Sequence, residues 1–306
     1  MLQRHAVSLA CFIILAGYGG GGSAPAQPPR AETKNMANQY VINVESRAVG
    51  ARVGINGVPL AVDMRGEGQQ LTRGINEWIL PEEKDRGKQK KEFRNHLSVF
   101  LFWPAGKEFV KGTASVKASV YIADPDPTSS RPGRIIAEFN WPSNNLPEAY
   151  PYTMQIPLAI PEAPPTRLWS EAARINELSD ADKGEILQLV ERFRSVLVPM
   201  QNPADAYALT RYKFEDQARA TGADPVKSER IARAQYGIFR QLTKPITKPL
   251  APSRAIFEIV AGGQVVLVTD GPENEAIVVH EEADPDTKYA VDVFVSKIDG
   301  HWQIVR

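Results

Sequence analysis

The residues able to do chemistry are few. Three histidines, His96, His280 and His301, stand beyond the first 26 residues of a chain that holds four histidines and one cysteine. His280-Glu281-Glu282 lies at the end of a strand candidate. Adjacent strand side chains point to opposite faces, so at most His280 and Glu282 converge. Two ligands do not make a zinc site, and no HExxH helix motif is present. Ala123-Asp124-Pro125-Asp126-Pro127 and Ala283-Asp284-Pro285-Asp286-Thr287 pair carboxylates in a way that suits calcium. They lack the further acids and the glycine of an EF-hand loop, and Asp-Pro is a common turn starter. There is no G-x-S-x-G elbow, no P-loop and no dinucleotide fingerprint. This inventory assigns no catalytic residue, no metal ligand and no cofactor.

Aromatic residues offer a different chemistry. Trp103 stands before Pro104, Trp141 before Pro142, and Tyr150 and Tyr152 flank Pro151. Flat apolar ring faces can stack on sugars; strand-end aromatics also plug the open end of a β-sandwich. Trp141, Tyr150 and Tyr152 are the candidate ligand-binding residues on the first of these readings.

The N-terminus bears on compartment. Arg4, an apolar run from Ala6 to Gly17, Gly19 to Gly22 and the triplet Ala24-Pro25-Ala26 follow the grammar of a secretory leader, with cleavage expected after Ala26. The run is shorter than the roughly 20 residues of a bilayer span. A lipid anchor at Cys11 fits less well, because Ser8 stands where a lipobox has Leu and most of the apolar run lies beyond the cysteine; an uncleaved anchor is the other alternative. Cys11 is the sole cysteine, so the processed chain carries no thiol and no disulfide. The expected compartment is the periplasm or the exterior. Residues 27–38 are polar and proline-bearing and read as a disordered tether. The 36 basic and 36 acidic residues balance, which argues against a dedicated nucleic-acid binder, and no later segment is apolar enough to span a membrane. The charged stretch Pro81 to Arg94 reads as a solvated hairpin loop, with a basic finger as the alternative.

Residues 39–160 show short, mostly period-two patterns that predict an all-β antiparallel sandwich. Tyr40, Ile42 and Val44 alternate with polar neighbours, as do Ala51, Val53 and Ile55, and Asn56-Gly57 supplies a hairpin turn. Further strands are predicted over Glu77–Leu80, His96–Trp103, Ser115–Ala123, Arg134–Trp141 and Tyr150–Ile160. The stretch Val53-Gly54-Ile55-Asn56-Gly57-Val58-Pro59-Leu60, followed by Ile75 to Pro81 and Leu97-Ser98-Val99, resembles jelly-roll modules of the galactose-binding-like group. The resemblance implies a sandwich, and no sugar site comes with it.

Proline density from Pro157 to Pro165 marks a boundary, and residues 161–179 read as a linker with a short helix over Leu168–Leu178. Residues 180–306 predict an α+β unit. Ser179 to Asp182 form a capping box, and Ile186, Leu189, Val190, Phe193, Val196 and Leu197 share one helical face. Asn202-Pro203 and Asp224-Pro225 open two further helices. The second of these is expected to bury Ile231, Ala234, Ile238, Phe239 and Leu242. A strand meander follows over Ala255–Val260, Gln264–Thr269, Ala276–His280, Tyr289–Ile298 and His301–Arg306, with Asp299-Gly300 as its last turn. Helices followed by an antiparallel sheet ending Lys297-Ile298-Asp299-Gly300-His301-Trp302-Gln303-Ile304 resemble the NTF2-like cone fold. That resemblance implies a pocket enclosed by helices and a curved sheet, an Asp, His or Tyr within it in the enzymatic members, and compatibility with a homodimer.

The thin stock of reactive groups points first to an exported, non-catalytic binding or accessory protein of the bacterial cell envelope, taking a protein, small-molecule or glycan ligand. The alternatives are an NTF2-like enzyme using acid–base chemistry on a small molecule, and a carbohydrate-binding sandwich.

Overall fold

The alternating runs of the first half become strands that bury every second side chain. The computed structural model describes residues 7–8, 38–81, 94–103, 112–124, 133–142, 150–198, 202–271, 274–282 and 284–306, with backbone alone for 7–8 and 284–287. The Cys11 anchor, nearly all of the leader and tether, and most of the charged Pro81–Arg94 loop lie outside them.

After a short β1 (Val7–Ser8) come β2 (Tyr40–Arg47), β3 (Gly50–Ile55), β4 (Val58–Asp63), β5 (Gln69–Gly74), β6 (Asn95–Phe102), β7 (Ser115–Ile122), β8 (Arg134–Trp141) and β9 (Tyr152–Leu158). They form two antiparallel four-stranded sheets, ordered β5-β2-β7-β8 and β4-β3-β6-β9. Tyr40, Ile42 and Val44 of one sheet share a single apolar cluster with Ala51, Val53, Ile55, Leu97, Val99 and Leu101 of the other. Each Val, Ile or Leu so buried contributes roughly 1.5–3 kcal/mol. Asn56 (φ 55°) and Gly57 (φ 81°) both take the left-handed backbone that a two-residue hairpin between β3 and β4 requires.

One expected strand is corrected. Residues 77–80 are not extended; Asn76–Trp78 is a 3-10 turn. Three buried or half-buried asparagines hold it. Asn76 Oδ1 accepts from Tyr40 N (2.7 Å), while its Nδ2 donates to the carbonyls of Asn38 (2.8 Å) and Ala220 (3.0 Å). Asn95 exchanges side-chain bonds with both backbone groups of Leu80, and Asn56 Nδ2 donates to Trp78 O (2.8 Å). Side chains thus replace a strand partner as the source of backbone hydrogen bonds.

The second half contains a one-turn helix α1 (Leu168–Glu171), then α2 (Asp180–Leu197), α3 (Pro203–Thr221) and α4 (Pro225–Tyr236). The caps are as the sequence predicts: Ser179 and Asp182 make a reciprocal capping box, Asn202 accepts from Ala204 N, Gly222 (φ 69°) closes α3, and Asp224 accepts from Lys227 N. The helix expected over Leu168–Leu178 stops at Glu171, because the backbone turns to pair elsewhere. Ala173 N donates to Lys297 O (2.9 Å) and Ile175 N to Gly263 O (2.6 Å). The buried stripe of α4 also differs from expectation. Ala232, Tyr236 and Phe239 are buried, whereas Ala234 is exposed and Ile231, Ile238 and Leu242 are half-buried. The chain tightens into a 3-10 turn at Gly237–Gln241, so a 3.6-residue period does not extend past Tyr236.

The remaining strands are β10 (Pro245–Thr247), β11 (Ala255–Val260), β12 (Val265–Asp270), β13 (Ile277–Glu281), β14 (Asp284–Val291), β15 (Val293–Ile298) and β16 (His301–Ile304). They make two sheets, β1-β14-β13-β10 and β11-β12-β15-β16, antiparallel except that β1 runs parallel to β14. The strand expected over Tyr289–Ile298 is divided at Asp292, where the chain leaves one sheet and joins the other.

Alternation along β12 shows how the layers meet. Val265 and Leu267 belong to the apolar cluster of the β-rich half, together with Phe294, Ile298 and Val305. Val266 and Val268 belong to a second cluster with Phe193, Phe214, Tyr236 and Phe239 from the helices. The central strands β12 and β15 are therefore buried on both faces, which explains the unbroken Val-Val-Leu-Val run. Among the described residues no helix is long and apolar enough to cross a membrane.

Candidate functional site

Five separate stretches of chain deliver polar side chains to one cavity. Arg73 comes from the end of β5, Glu77 and Trp78 from the asparagine-held turn, and Lys213, Phe214 and Gln217 from one face of α3. Gln235 and Tyr236 end α4, Asp292 and Phe294 flank the strand crossing, and Arg306 closes the wall. The cavity encloses about 50 Å³. That is room for roughly three to five waters, or one small polar molecule.

Two ion pairs brace its rim. Arg306 Nη2 lies 2.8 Å from Asp216 Oδ2, with side chains 2 % and 0 % exposed. The same nitrogen donates to Glu77 O (2.7 Å), and the guanidinium stands 5.4 Å from the Trp78 ring and 5.8 Å from the Trp169 ring. Asp216 Oδ1 accepts from Arg167 N (2.6 Å), so both of its oxygens are used. Arg73 Nη2 approaches Glu77 Oε1 at 3.5 Å.

Asp292 and Lys213 are different. Neither side chain makes a hydrogen bond or an ion pair with any described residue; the Lys213 ammonium stands 5.5 Å from the Phe214 ring. Asp292 is exposed to solvent at one edge of the cavity, at the point where β14 gives way to β15. Burial pushes its pKa above the ordinary carboxylate value; Glu275 adds to the rise, and Arg73 and Lys213 oppose it. On the wall, Trp78 Nε1 and Arg306 Nε are buried and have no acceptor among the described residues. An unsatisfied buried donor costs about 1–3 kcal/mol, so these two N–H groups favour an incoming acceptor.

The residues singled out from sequence lie elsewhere. Trp141 is buried at the end of β8, with its ring 5.9 Å from Tyr150 and at 84° to it; Trp103 lies 5.4 Å from Tyr150. Tyr152 begins β9 opposite Leu101 and is half-buried. Trp141 meets Tyr150 edge-on and Trp103 meets it tilted at 54°, so these three rings do not form a coplanar platform. Around His280 the acids are engaged locally: Glu281 accepts from Thr243 N and Lys244 N, and Glu282 pairs with Lys244 at 3.0 Å. His301 is exposed beside a shallow groove lined by Glu185, Arg192 and Trp302. Among the described residues no three His, Cys, Asp or Glu side chains gather as a metal site would need. The Asp126 side of the first Asp-Pro pair and the side chains of Asp284 and Asp286 lie outside what the structure describes.

Sequence reading missed the cavity. Its one local signal is Asp292, an acid within Tyr-Ala-Val-Asp-Val-Phe-Val, at a position that alternation assigns to the same face as Phe294.

No family model, no curated protein and no solved structure matches this chain.

Proposed function

We propose that this is an exported protein of the cell envelope that works by binding a small polar molecule in the cavity bounded by Arg73, Lys213, Tyr236, Asp292 and Arg306. The observation that carries the reading is a carboxylate and an ammonium, both without an ion-pair partner among the described residues, lining one small cavity. Beside them, Trp78 Nε1 and Arg306 Nε are buried donors with no acceptor among the described residues, which favours an incoming acceptor. In this account residues 39–160 act as a β-sandwich unit and residues 180–306 as an NTF2-like unit, and the ligand sits where the two meet. Export rests on the leader grammar of residues 1–26.

The test is a thermal-shift screen of small polar molecules against the full chain and Asp292→Asn. A compound that raises the melting temperature of the first and not of the second supports the reading. No compound shifting either protein would overturn it.

One observation favours a second reading. A carboxyl whose pKa is raised by burial, and which solvent can reach, is suited to general acid–base catalysis on a bound small molecule. That reading expects turnover of a small substrate, abolished in Asp292→Asn with binding retained.

A further inference from the structure

We propose that the cavity selects small amino acids, molecules that carry a carboxylate at one end and a protonated amine at the other. The inference rests on the cavity being the binding site, as argued above, and adds the chemical class of the ligand.

The complement is read from the walls. Asp292 offers a carboxylate with no partner among the described residues, which an ammonium group satisfies through charge-assisted hydrogen bonds. Lys213, from α3, offers an ammonium with no ion-pair partner among the described residues; among the same residues the Trp78 and Arg306 N–H groups find no acceptor. Together they suit a carboxylate. The other charges near the cavity are answered already: Arg73 by Glu77, Arg306 by Asp216, and Glu275 by Lys288 at 3.4 Å. A one-ended ligand would leave one of the two free charges unanswered. About 50 Å³ suits glycine or β-alanine, makes γ-aminobutyrate a test of the upper size limit, and excludes bulky side chains.

The charges also set a pH dependence. The groups facing Asp292 are Arg73 on β5, Glu77 on the turn, Lys213 on α3, Tyr236 on α4, Arg306 at the far wall, and Glu275 ahead of β13 with Lys288 on β14. Burial and Glu275 favour the protonated carboxyl before binding. An arriving ammonium favours the ionised form, so binding is coupled to deprotonation of Asp292. Affinity for an amino acid therefore falls as the pH is lowered. A simple anion would show the opposite slope, because protonation of Asp292 removes its repulsion.

Isothermal titration calorimetry on the full chain tests this with glycine, β-alanine and γ-aminobutyrate against acetate, propionate and ethylamine. At least one amino acid is expected to bind tenfold or more tightly than the acid or amine of matched length, and more weakly at pH 5 than at pH 8. Asp292→Asn should lower that affinity tenfold or more and flatten the pH dependence. Lys213→Met, at a half-exposed position, should lower it comparably while the pH dependence persists. Equal affinity for propionate and β-alanine, or tighter binding at pH 5, would overturn the proposal. So would stabilisation by other small polar compounds through Asp292 with no amino acid binding; in that case the cavity remains the binding site and only the ligand class is wrong. If nothing binds and neither variant changes any titration, the proposal and the reading beneath it fail together.

Discussion

The Arg306 guanidinium meets the Asp216 carboxylate at 2.8 Å in a place almost closed to solvent, ninety residues apart in sequence. It joins the chain after β16 to the middle of α3, and through Glu77 O to the turn from the β-rich half. Removing one partner leaves a buried charge without compensation. Arg306→Met is expected to cost about 3–5 kcal/mol, and Asp216→Leu a similar amount. The double variant should lose less than the two single losses combined. Urea unfolding of the four proteins measures this.

Asp292 has a second consequence, independent of any ligand. Its pKa is raised in the folded protein, so the stability it contributes is full below the unfolded carboxylate value near pH 4 and is lost as pH rises through the folded value. Asp292→Asn should therefore melt higher than the parent at pH 8, and the gap should close as the pH falls towards 4. Melting curves across that range check the sign.

Asp182 behaves in the opposite sense. Hydrogen bonds from Ser179 and then Lys297 hold its carboxyl well below the usual carboxylate range. The same oxygen, Oδ1, accepts from Lys297 Nζ (2.9 Å) and Trp302 Nε1 (3.2 Å), tying the start of α2 to the last hairpin. Its contribution is present above the unfolded value and is lost as pH falls through the depressed one. Asp182→Asn should melt lower than the parent at pH 7, with the difference shrinking below about pH 4. Ser179→Ala removes the cap and should cost about 1 kcal/mol.

Gly54 tests the hairpin of β3 and β4. A Cβ there would stand 1.7 Å from Val58 O, a backbone atom that cannot swing aside. The register shifts at Val53/Gly54, so the close approach belongs to the bulge. Gly54→Ala should cost about 1–3 kcal/mol or more, read as a lowered urea midpoint with an unchanged slope.

Local features of this fold were legible in the sequence. Strands β2, β3, β6, β7, β8 and β11 follow from alternation and turn residues, and α2, α3 and α4 from their caps, because each signal sits within a few residues of what it specifies. Elements shaped by distant partners were not. Asn76 bends residues 76–78 through bonds to Tyr40 and Ala220, and α1 ends early because Ala173 finds Lys297. The cavity is the extreme case. Arg73, Lys213, Asp292 and Arg306 span most of the chain and share no motif. The aromatic residues that drew attention, Trp141 and Tyr150, pack against each other, since a large ring at a strand end finds apolar neighbours before it finds solvent.

The proposed binding function puts the ligand in the cavity at Asp292. A proton–nitrogen correlation spectrum of the labelled full chain, titrated with a compound that raises its melting temperature, tests this most directly. The account predicts saturable shifts concentrated at Lys213, Gln217, Gln235, Asp292, Phe294 and Arg306. Shifts gathered instead around Trp141 and Tyr150, or at the groove by His301, with those six amides unmoved, would contradict it.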